Sequence, residues 1–265
     1  MLNVVDLLPA ISPLSVLSGF VVGLLIGLTG VGGGSLMTPL LILVFGRHAT
    51  TAVGTDLLYA ALTKSVGTLA HGRNRNIDWP IVAWLASGSL PATVLTVAGL
   101  YAVGVTGHTS PRLITGTLAF ALLLSAAAIA GRHRVRHWSR RLDVPPRAIV
   151  PLTVLMGAIL GVLVTVSSVG AGALGMAMLV MLYPGRPLSR LVGTDVAHAV
   201  PLTLVAGIGH VLIGSVSWQL LVSLLLGSVP GVILGAHLAA RLPERMSRPV
   251  LATILVVTSL ELLIR

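Results

Sequence analysis

The chain has 265 residues, of which 55% are hydrophobic and only 9% are charged, and its mean hydropathy is +1.00. Soluble domains carry roughly 25% charged residues. The composition therefore excludes a soluble globular protein and indicates a membrane protein with several spans. In a soluble protein, a net charge of +10 would suggest a nucleic-acid partner. In a membrane protein the same charge indicates basic loops that set the orientation of the chain. With only 4% aromatic residues for base stacking, no nucleic-acid partner is expected. The absence of cysteine excludes disulfides and thiolate metal sites, and the sequence predicts no metal and no cofactor.

Ten apolar segments follow one another along the chain, five in each half. They cover roughly residues 11–29, 33–45, 49–70, 79–101, 113–131, 148–166, 170–183, 189–213, 217–240 and 248–264. A membrane-spanning helix needs about 20 residues, so the pattern predicts an all-α polytopic membrane protein. Segments 33–45 and 170–183 are shorter, and each follows a Gly-rich break. Each is either a half-helix that ends at mid-membrane or a short helix buried by its neighbours.

The two halves of the chain repeat each other. With an offset of 138, ten of the 22 residues in 13–34 are identical to their mates in 151–172. With an offset of 139, eleven of the 38 residues in 54–91 are identical to their mates in 193–230. The matched positions include a histidine, a tryptophan and an aspartate, which composition alone does not align. The chain is therefore predicted to be an internal duplication.

Basic residues predict how the repeats are oriented. We number each loop after the apolar segment that precedes it. If every segment crosses the membrane, the even-numbered loops hold two arginines, Arg47 and Arg112, and the odd-numbered loops hold a larger group of arginines. That group is Arg73, Arg75, Arg132, Arg134, Arg136, Arg140, Arg141, Arg147, Arg186, Arg241 and Arg245. The positive-inside rule places the odd loops in the cytoplasm.

Five crossings per repeat then invert the second repeat relative to the first. The predicted organisation is a first repeat over 1–131, a basic cytoplasmic linker over 132–147 and a second repeat over 148–265, in a multi-pass protein of the cell (inner) membrane. A rival topology makes the two short segments re-entrant, which gives eight spans and parallel repeats.

Inverted repeats with interrupted helices are a transporter architecture, with the binding site at the repeat interface. The Gly-rich breaks are the first candidates for that site, because a helix N-terminus with free N–H groups favours an anion. The predicted anion cradle comprises Thr29, Gly32, Gly33, Gly34, Ser35, Ser167, Ser168, Gly170 and Gly172. Four earlier glycines are interpreted instead as sites of close helix packing. These are Gly19, Gly23, Gly157 and Gly161.

Ionisable residues inside apolar segments are the second group of candidates, since they are costly in a membrane. Lys64 is predicted to supply positive charge to an anion. Asp56, Asp195 and His198 are predicted to carry protons, although both acids could instead be carboxylates near the membrane surface at helix starts. Thr55 and Thr194, in the two Gly-Thr-Asp triplets, are predicted to donate to the solute.

The sequence resembles the sulfite exporter TauE/SafE family of membrane permeases. The resemblance rests on the Gly-rich break before Leu36-Met37-Thr38-Pro39, on Ala52-Val53-Gly54-Thr55-Asp56, and on His71 followed by Ile77-Asp78-Trp79. The second copies around 192–195 and 209–218 fit as well, and the resemblance covers nearly the whole chain. It implies a duplicated helical fold and the export, or in some members the uptake, of small sulfur-containing or organic anions. Many relatives carry Asn or Ser where Asp56 stands, so the acid here favours proton coupling.

We therefore expect a secondary transporter, and more specifically an exporter, of a small anion such as sulfite or an organosulfonate. It is expected to work by alternating access with proton coupling and to have no enzymatic activity. Its expected partners are the anion and the lipid bilayer, and a homodimer is compatible with the sequence. Two alternatives stay open: a passive anion channel, and an intramembrane enzyme built from Ser167 or Ser168 with His198 or His210.

Overall fold

The fold was analysed in a computed structural model that describes residues 12–29, 34–105, 112–139, 145–239, 253, 256–257 and 259–261. These residues are helical or lie in turns and connections, with no strand among them. The helices are α1 (Pro13–Thr29), α2 (Gly34–Leu43), α3 (Ala49–Arg73), α4 (Trp79–Ala102), α5 (Arg112–Ser139), α6 (Pro146–Ser167), α7 (Ala173–Leu182), α8 (Leu188–Leu212) and α9 (Trp218–Ala239). The all-α prediction is confirmed, and each of the first nine predicted segments corresponds to one helix.

The main difference from the predicted segments lies at the junction of the repeats. We expected a linker from residue 132, but α5 continues without a break to Ser139. No glycine or proline occurs from Arg132 to Ser139, so nothing in the sequence ends the helix there. The first half of the basic linker is therefore helical. The last predicted segment, 248–264, lies mostly outside the described residues.

Five of the described helices are long and apolar enough to cross a membrane by length and composition. These stretches are Trp79–Ala102, Ile114–Gly131, Pro146–Ser167, Leu188–Leu212 and Trp218–Gly235. Large apolar side chains on the outside of the helices, such as Leu95 at 73% exposure and Phe120 at 58%, suit a lipid environment. Helix α3 is equally long but carries Asp56 and Lys64, both of which are buried against other helices.

The first helix of each repeat packs against the fourth helix of the other repeat. Gly19 and Gly23 of α1 lie against the backbone of Leu224 and Ser228 in α9. The mates of this pair repeat the contact, since Gly157 and Gly161 of α6 lie against Leu85 and Ser89 in α4. The packing role predicted for these four glycines is confirmed. Close backbone contact of this kind is how small residues join membrane helices.

Helices α3 and α8, which are mates in the duplication, pack against each other in opposite directions. Gly54 near the start of α3 contacts His210 near the end of α8, and Leu58 contacts Gly207. Further along, Gly67 of α3 contacts Val196. As the residue number rises in α3 it falls in α8, so the two helices are antiparallel.

Candidate functional site

The Gly-rich break of the second repeat is a sharp turn between α6 and α7. Ser168 has a left-handed backbone with φ 57, and Gly170 and Gly172 have φ 121 and 144. Glycine adopts these angles at no steric cost, whereas a left-handed serine is uncommon and such residues cluster at functional sites. The turn lets α7 begin at Ala173 inside the helix bundle.

Lys64 of α3 reaches this turn. Its Nζ donates to the carbonyl of Ala171 at 2.6 Å, and the residue is only 7% exposed. The carboxylates of Asp195 and Asp56 are both near enough to interact electrostatically with the Lys64 ammonium group. The structure thus brings together one predicted cation, two predicted acids and one predicted cradle.

Asp56 lies on the same first-repeat helix as Lys64 and is fully buried. The Thr38 hydroxyl of α2 donates to its Oδ2, and the Ser168 hydroxyl faces the carboxylate. Neither Asp56 Oδ1 nor Ser168 Oγ has a hydrogen-bond partner. A buried carboxylate oxygen and a hydroxyl that are both unpaired indicate a place where water or a solute binds, because buried polar groups in native proteins are usually paired.

Asp195 and His198 belong to the second repeat and lie one turn apart on α8. Asp195 Oδ1 packs against the backbone of Gly175 in α7, where a Cβ would overlap it, and it has no hydrogen-bond partner. His198 Nε2 lies 2.9 Å from Ser89 Oγ of α4, while its Nδ1 is unpaired. The prediction that these two residues share a helix face is confirmed, and both present one unpaired buried atom.

Thr55 and Thr194 have partners within the protein. Thr55 Oγ1 donates to the carbonyl of Thr51 at 2.7 Å and accepts from the N–H of Ser217 at 3.0 Å. Thr194 Oγ1 repeats this arrangement with Arg190 at 2.7 Å and Asp78 at 2.9 Å. Each threonine therefore holds the start of the fourth helix of the other repeat. A solute contact by either hydroxyl stays a prediction.

The other predicted residues are spread over both breaks. Ser167 Oγ donates to the carbonyl of Leu163 at 2.6 Å and so is held by its own helix. In the first break, Thr29 ends α1 and Gly34 and Ser35 begin α2. Gly32 and Gly33 lie outside the described residues.

The residues of the enzyme alternative have other partners. His210 Nε2 donates to the carbonyl of Thr165 at 2.9 Å, and Nδ1 lies 2.8 Å from Ser215 Oγ. His198 binds Ser89, and the Ser168 hydroxyl is unpaired. These hydrogen bonds of the two histidines therefore join them to neither Ser167 nor Ser168.

The sequence analysis assigned no role to four residues that lie beside these charged groups: Thr38, Tyr59, Ser89 and Ser228. A signal for two of them was present, because Gly88-Ser89-Leu90-Pro91 is repeated as Gly227-Ser228-Val229-Pro230. A serine kept in both copies beside a mid-helix proline is a candidate for the lining of a cavity. Thr38 and Tyr59 have no such signal, because neither is identical to its mate.

The arrangement is a polar cluster enclosed by apolar helices, and we name it the central cluster. It comprises Thr38, Asp56, Tyr59, Lys64, Ser89, Ser168, Asp195, His198 and Ser228, together with the carbonyl of Ala171. It draws side chains from both repeats and from helices next to the Gly-rich turn. Intramembrane ionisable groups in such a position mark solute or proton pathways.

Comparison with known proteins agrees with this architecture. The sequence matches the family described as Sulfite exporter TauE/SafE over residues 15–262. It is 38% identical, over 94% of this chain and 98% of the relative, to the probable membrane transporter protein YjnA of Bacillus subtilis. It is 27% identical, over 87% of this chain and 91% of the relative, to the probable membrane transporter protein YdhB of the same organism. No solved structure matches the chain significantly. The chain is therefore a multi-pass membrane transporter that belongs to the sulfite exporter TauE/SafE family.

Proposed function

We propose that this transporter exports a small anion such as sulfite or an organosulfonate by alternating access, coupled to protons. The observation that carries the proposal is the central cluster, in which two carboxylates and one ammonium group lie buried with unpaired polar atoms around them. A structural ion-pair network is normally fully paired. Unpaired polar atoms on residues of both repeats around Lys64 favour a site that a solute fills during transport.

The charge of the cluster argues for protons. With Asp56 and Asp195 ionised and Lys64 protonated, the site carries one excess negative charge before any substrate enters. An anion adds another, and each uncompensated buried charge costs several kcal/mol. Protonation of a carboxylate removes that cost. We therefore propose Asp56, Asp195 and His198 as the groups that bind protons together with the anion.

The cradle is the part of the site that we assign to the anion. Lys64 supplies positive charge, and its contact with the Ala171 carbonyl ties it to the turn that includes Ser168, Gly170 and Gly172. The Gly-rich break of the first repeat, with the sequence-predicted residues Thr29, Gly32, Gly33, Gly34 and Ser35, is proposed to contribute to the same anion site from the other repeat. Binding between two interrupted helices is the arrangement that transporters with inverted repeats use.

The proposed topology has inverted repeats, with the odd-numbered loops and the residues of the basic linker in the cytoplasm. The antiparallel packing of α3 with its mate α8 supports inversion, because parallel repeats would make mated helices run in the same direction. A contact between two odd-numbered loops also supports it, since Arg186 lies 3.3 Å from Asp78. Both loops then lie on one side of the membrane, as the distribution of arginine requires.

Flux measurements in proteoliposomes test the function. We expect sulfite efflux that saturates and rises with an imposed proton gradient. Asp56→Asn is expected to abolish the response to the gradient, whereas Glu261→Gln, which changes an exposed carboxylate near the C-terminus, is the matched control. Transport by Asp56→Asn equal to wild type at every gradient contradicts coupling through Asp56. Flux that does not saturate and ignores the gradient in the wild type indicates the passive channel instead.

A further inference from the structure

Three hydroxyl groups beside Asp56 have no hydrogen-bond partner. They are Tyr59 Oη, Ser168 Oγ and Ser228 Oγ. All three residues are buried, at 0%, 4% and 0% exposure. Most buried hydroxyls in native proteins are paired with protein or water. Three unpaired hydroxyls in one region therefore indicate a polar solute or ordered water.

The three hydroxyls come from three separate parts of the fold. Tyr59 follows Asp56 by three residues on α3, so the two side chains share a helix face. Ser168 stands at the left-handed position of the Gly-rich turn and faces the Asp56 carboxylate. Ser228 faces the Tyr59 hydroxyl from α9, where its backbone rests on Gly23 of α1. Close backbone packing thus fixes Ser228 in place.

The pair Tyr59 and Ser228 differs from its counterpart in the second repeat. The offset of 139 relates Tyr59 to His198 and Ser228 to Ser89. In the second repeat the pair is closed, with His198 Nε2 2.9 Å from Ser89 Oγ. In the first repeat the equivalent Tyr59 and Ser228 hydroxyls face each other but make no hydrogen bond, so we call this pair open. The open pair therefore has donors to offer, and the closed pair offers only the free Nδ1 of the imidazole.

We propose that Tyr59, Ser168 and Ser228 form an oxyanion subsite for a head group with three terminal oxygens, of the sulfite or sulfonate type. This inference rests on the proposed anion transport and deepens it. Three hydroxyl donors match three oxygens, and hydrogen bonds to a charged acceptor are stronger than neutral ones. The unpaired Asp56 Oδ1 beside them repels an anion when ionised. Once protonated it becomes a further donor, so the anion and the proton enter this subsite together.

The subsite predicts discrimination by head-group shape. Methanesulfonate offers three equivalent oxygens, whereas acetate is planar and offers two. We expect the wild type to bind methanesulfonate and sulfite more tightly than acetate. Both sulfur oxyanions would use all three hydroxyls, so the loss of one hydroxyl weakens their binding more than it weakens acetate binding.

The test uses Tyr59→Phe and Ser228→Ala in the full-length protein. Tyr101→Phe and Ser223→Ala are matched controls, because Tyr101 is 72% exposed and Ser223 Oγ bonds within α9 to the carbonyl of Gln219 at 2.8 Å. Dissociation constants for sulfite, methanesulfonate and acetate are measured by titration calorimetry on purified protein. We expect each site variant to raise the constant for the two sulfur oxyanions about tenfold, consistent with one hydrogen bond to a charged group. The controls should not change it.

Thermal unfolding without ligand separates binding from folding. Removal of an unpaired buried hydroxyl should leave the midpoint of Tyr59→Phe unchanged or raise it. Wild-type binding with unchanged constants in both site variants overturns the subsite and leaves anion transport intact. A wild type that binds neither sulfite nor methanesulfonate overturns both the subsite and the proposed function.

Discussion

Arg186 Nη2 lies 3.3 Å from Asp78 Oδ2, which joins the connection before α8 to the start of α4. The two residues belong to different repeats. Their mates in the duplication are Arg47 and Ser217, so the equivalent place at the other end of the molecule has an arginine but no acid. The ion pair therefore links the repeats at one face only. In the proposed alternating-access cycle, a contact of this kind would favour the conformation in which that face is closed.

Loss of the ion pair should open that face more often. Because Arg186 is half exposed, the pair contributes about 1 kcal/mol or less, which corresponds to about a fivefold change in the ratio of conformations. We expect Asp78→Asn to raise the rate at which a membrane-impermeant thiol reagent labels a cysteine placed at Ala171. The natural chain has no cysteine, so the signal comes from that position alone.

The charge-reversed double variant Asp78→Arg with Arg186→Asp is the control for this experiment. It restores an ion pair with the opposite polarity, so its labelling rate should return towards that of the single Ala171→Cys protein. An equal rate in Asp78→Asn and in its parent contradicts a role of the pair in closing the face.

Close helix packing gives a prediction about stability. Gly88 of α4 packs on the backbone of Val154 and Ala158, where no Cβ fits, whereas Gly99 on the same helix has open space around it. We expect Gly88→Ala to cost about 1–3 kcal/mol through overpacking, and to lower the midpoint of thermal unfolding in detergent. Gly99→Ala should be neutral or slightly stabilising because alanine is the better helix former. Equal midpoints for the two variants would contradict the packing seen here.

Sequence reasoning reached the helices, the duplication and most of the charged part of the cluster. Hydropathy and the repeat located α1 to α9 within a few residues, apart from the end of α5, because apolar length and internal identity are properties of the sequence itself. The roles of Thr55 and Thr194 were beyond its reach. Both threonines are conspicuous in the repeated triplets, but only the packing of α3 on α8 brings them to the N–H groups of Ser217 and Asp78. The sequence does not reveal that α5 continues to Ser139, because a run of basic residues is as typical of a loop at the membrane surface as of a helix end.

Substitutions of the two threonines test whether their hydroxyls stabilise the fold or bind the solute. Thr55→Val leaves the Ser217 N–H without a partner, and Thr194→Val does the same for the Asp78 N–H. Each loss should cost about 1–3 kcal/mol and lower the unfolding midpoint, while Thr→Ser at either position should retain most of it. The KM for the anion should stay within about twofold of wild type. A large rise in KM with an unchanged midpoint would instead assign the hydroxyl to the solute, as the sequence suggested.

Lys64 and Asp195 give the last prediction, on the charge balance of the central cluster. Lys64→Met leaves Asp56 and Asp195 buried without their cation, and breaking a buried charge pair in this way typically costs about 3–5 kcal/mol. We expect Lys64→Met to lower the midpoint strongly and the double variant Lys64→Met with Asp195→Asn to recover much of it, since one negative charge is gone. Asp195→Asn alone leaves one carboxylate and one ammonium group, so it should cost little.

Arg47→Met, which removes an exposed cation that is not part of the cluster, is the matched control and should not move the midpoint. The rescue decides between two views of Lys64. If its main role were the contact with the Ala171 carbonyl, Asp195→Asn would not restore stability, because that contact is lost in both variants. Recovery in the double variant would show that Lys64 neutralises the two acids in the resting protein. Under the proposed coupling, an anion would then share that charge only when a proton arrives with it.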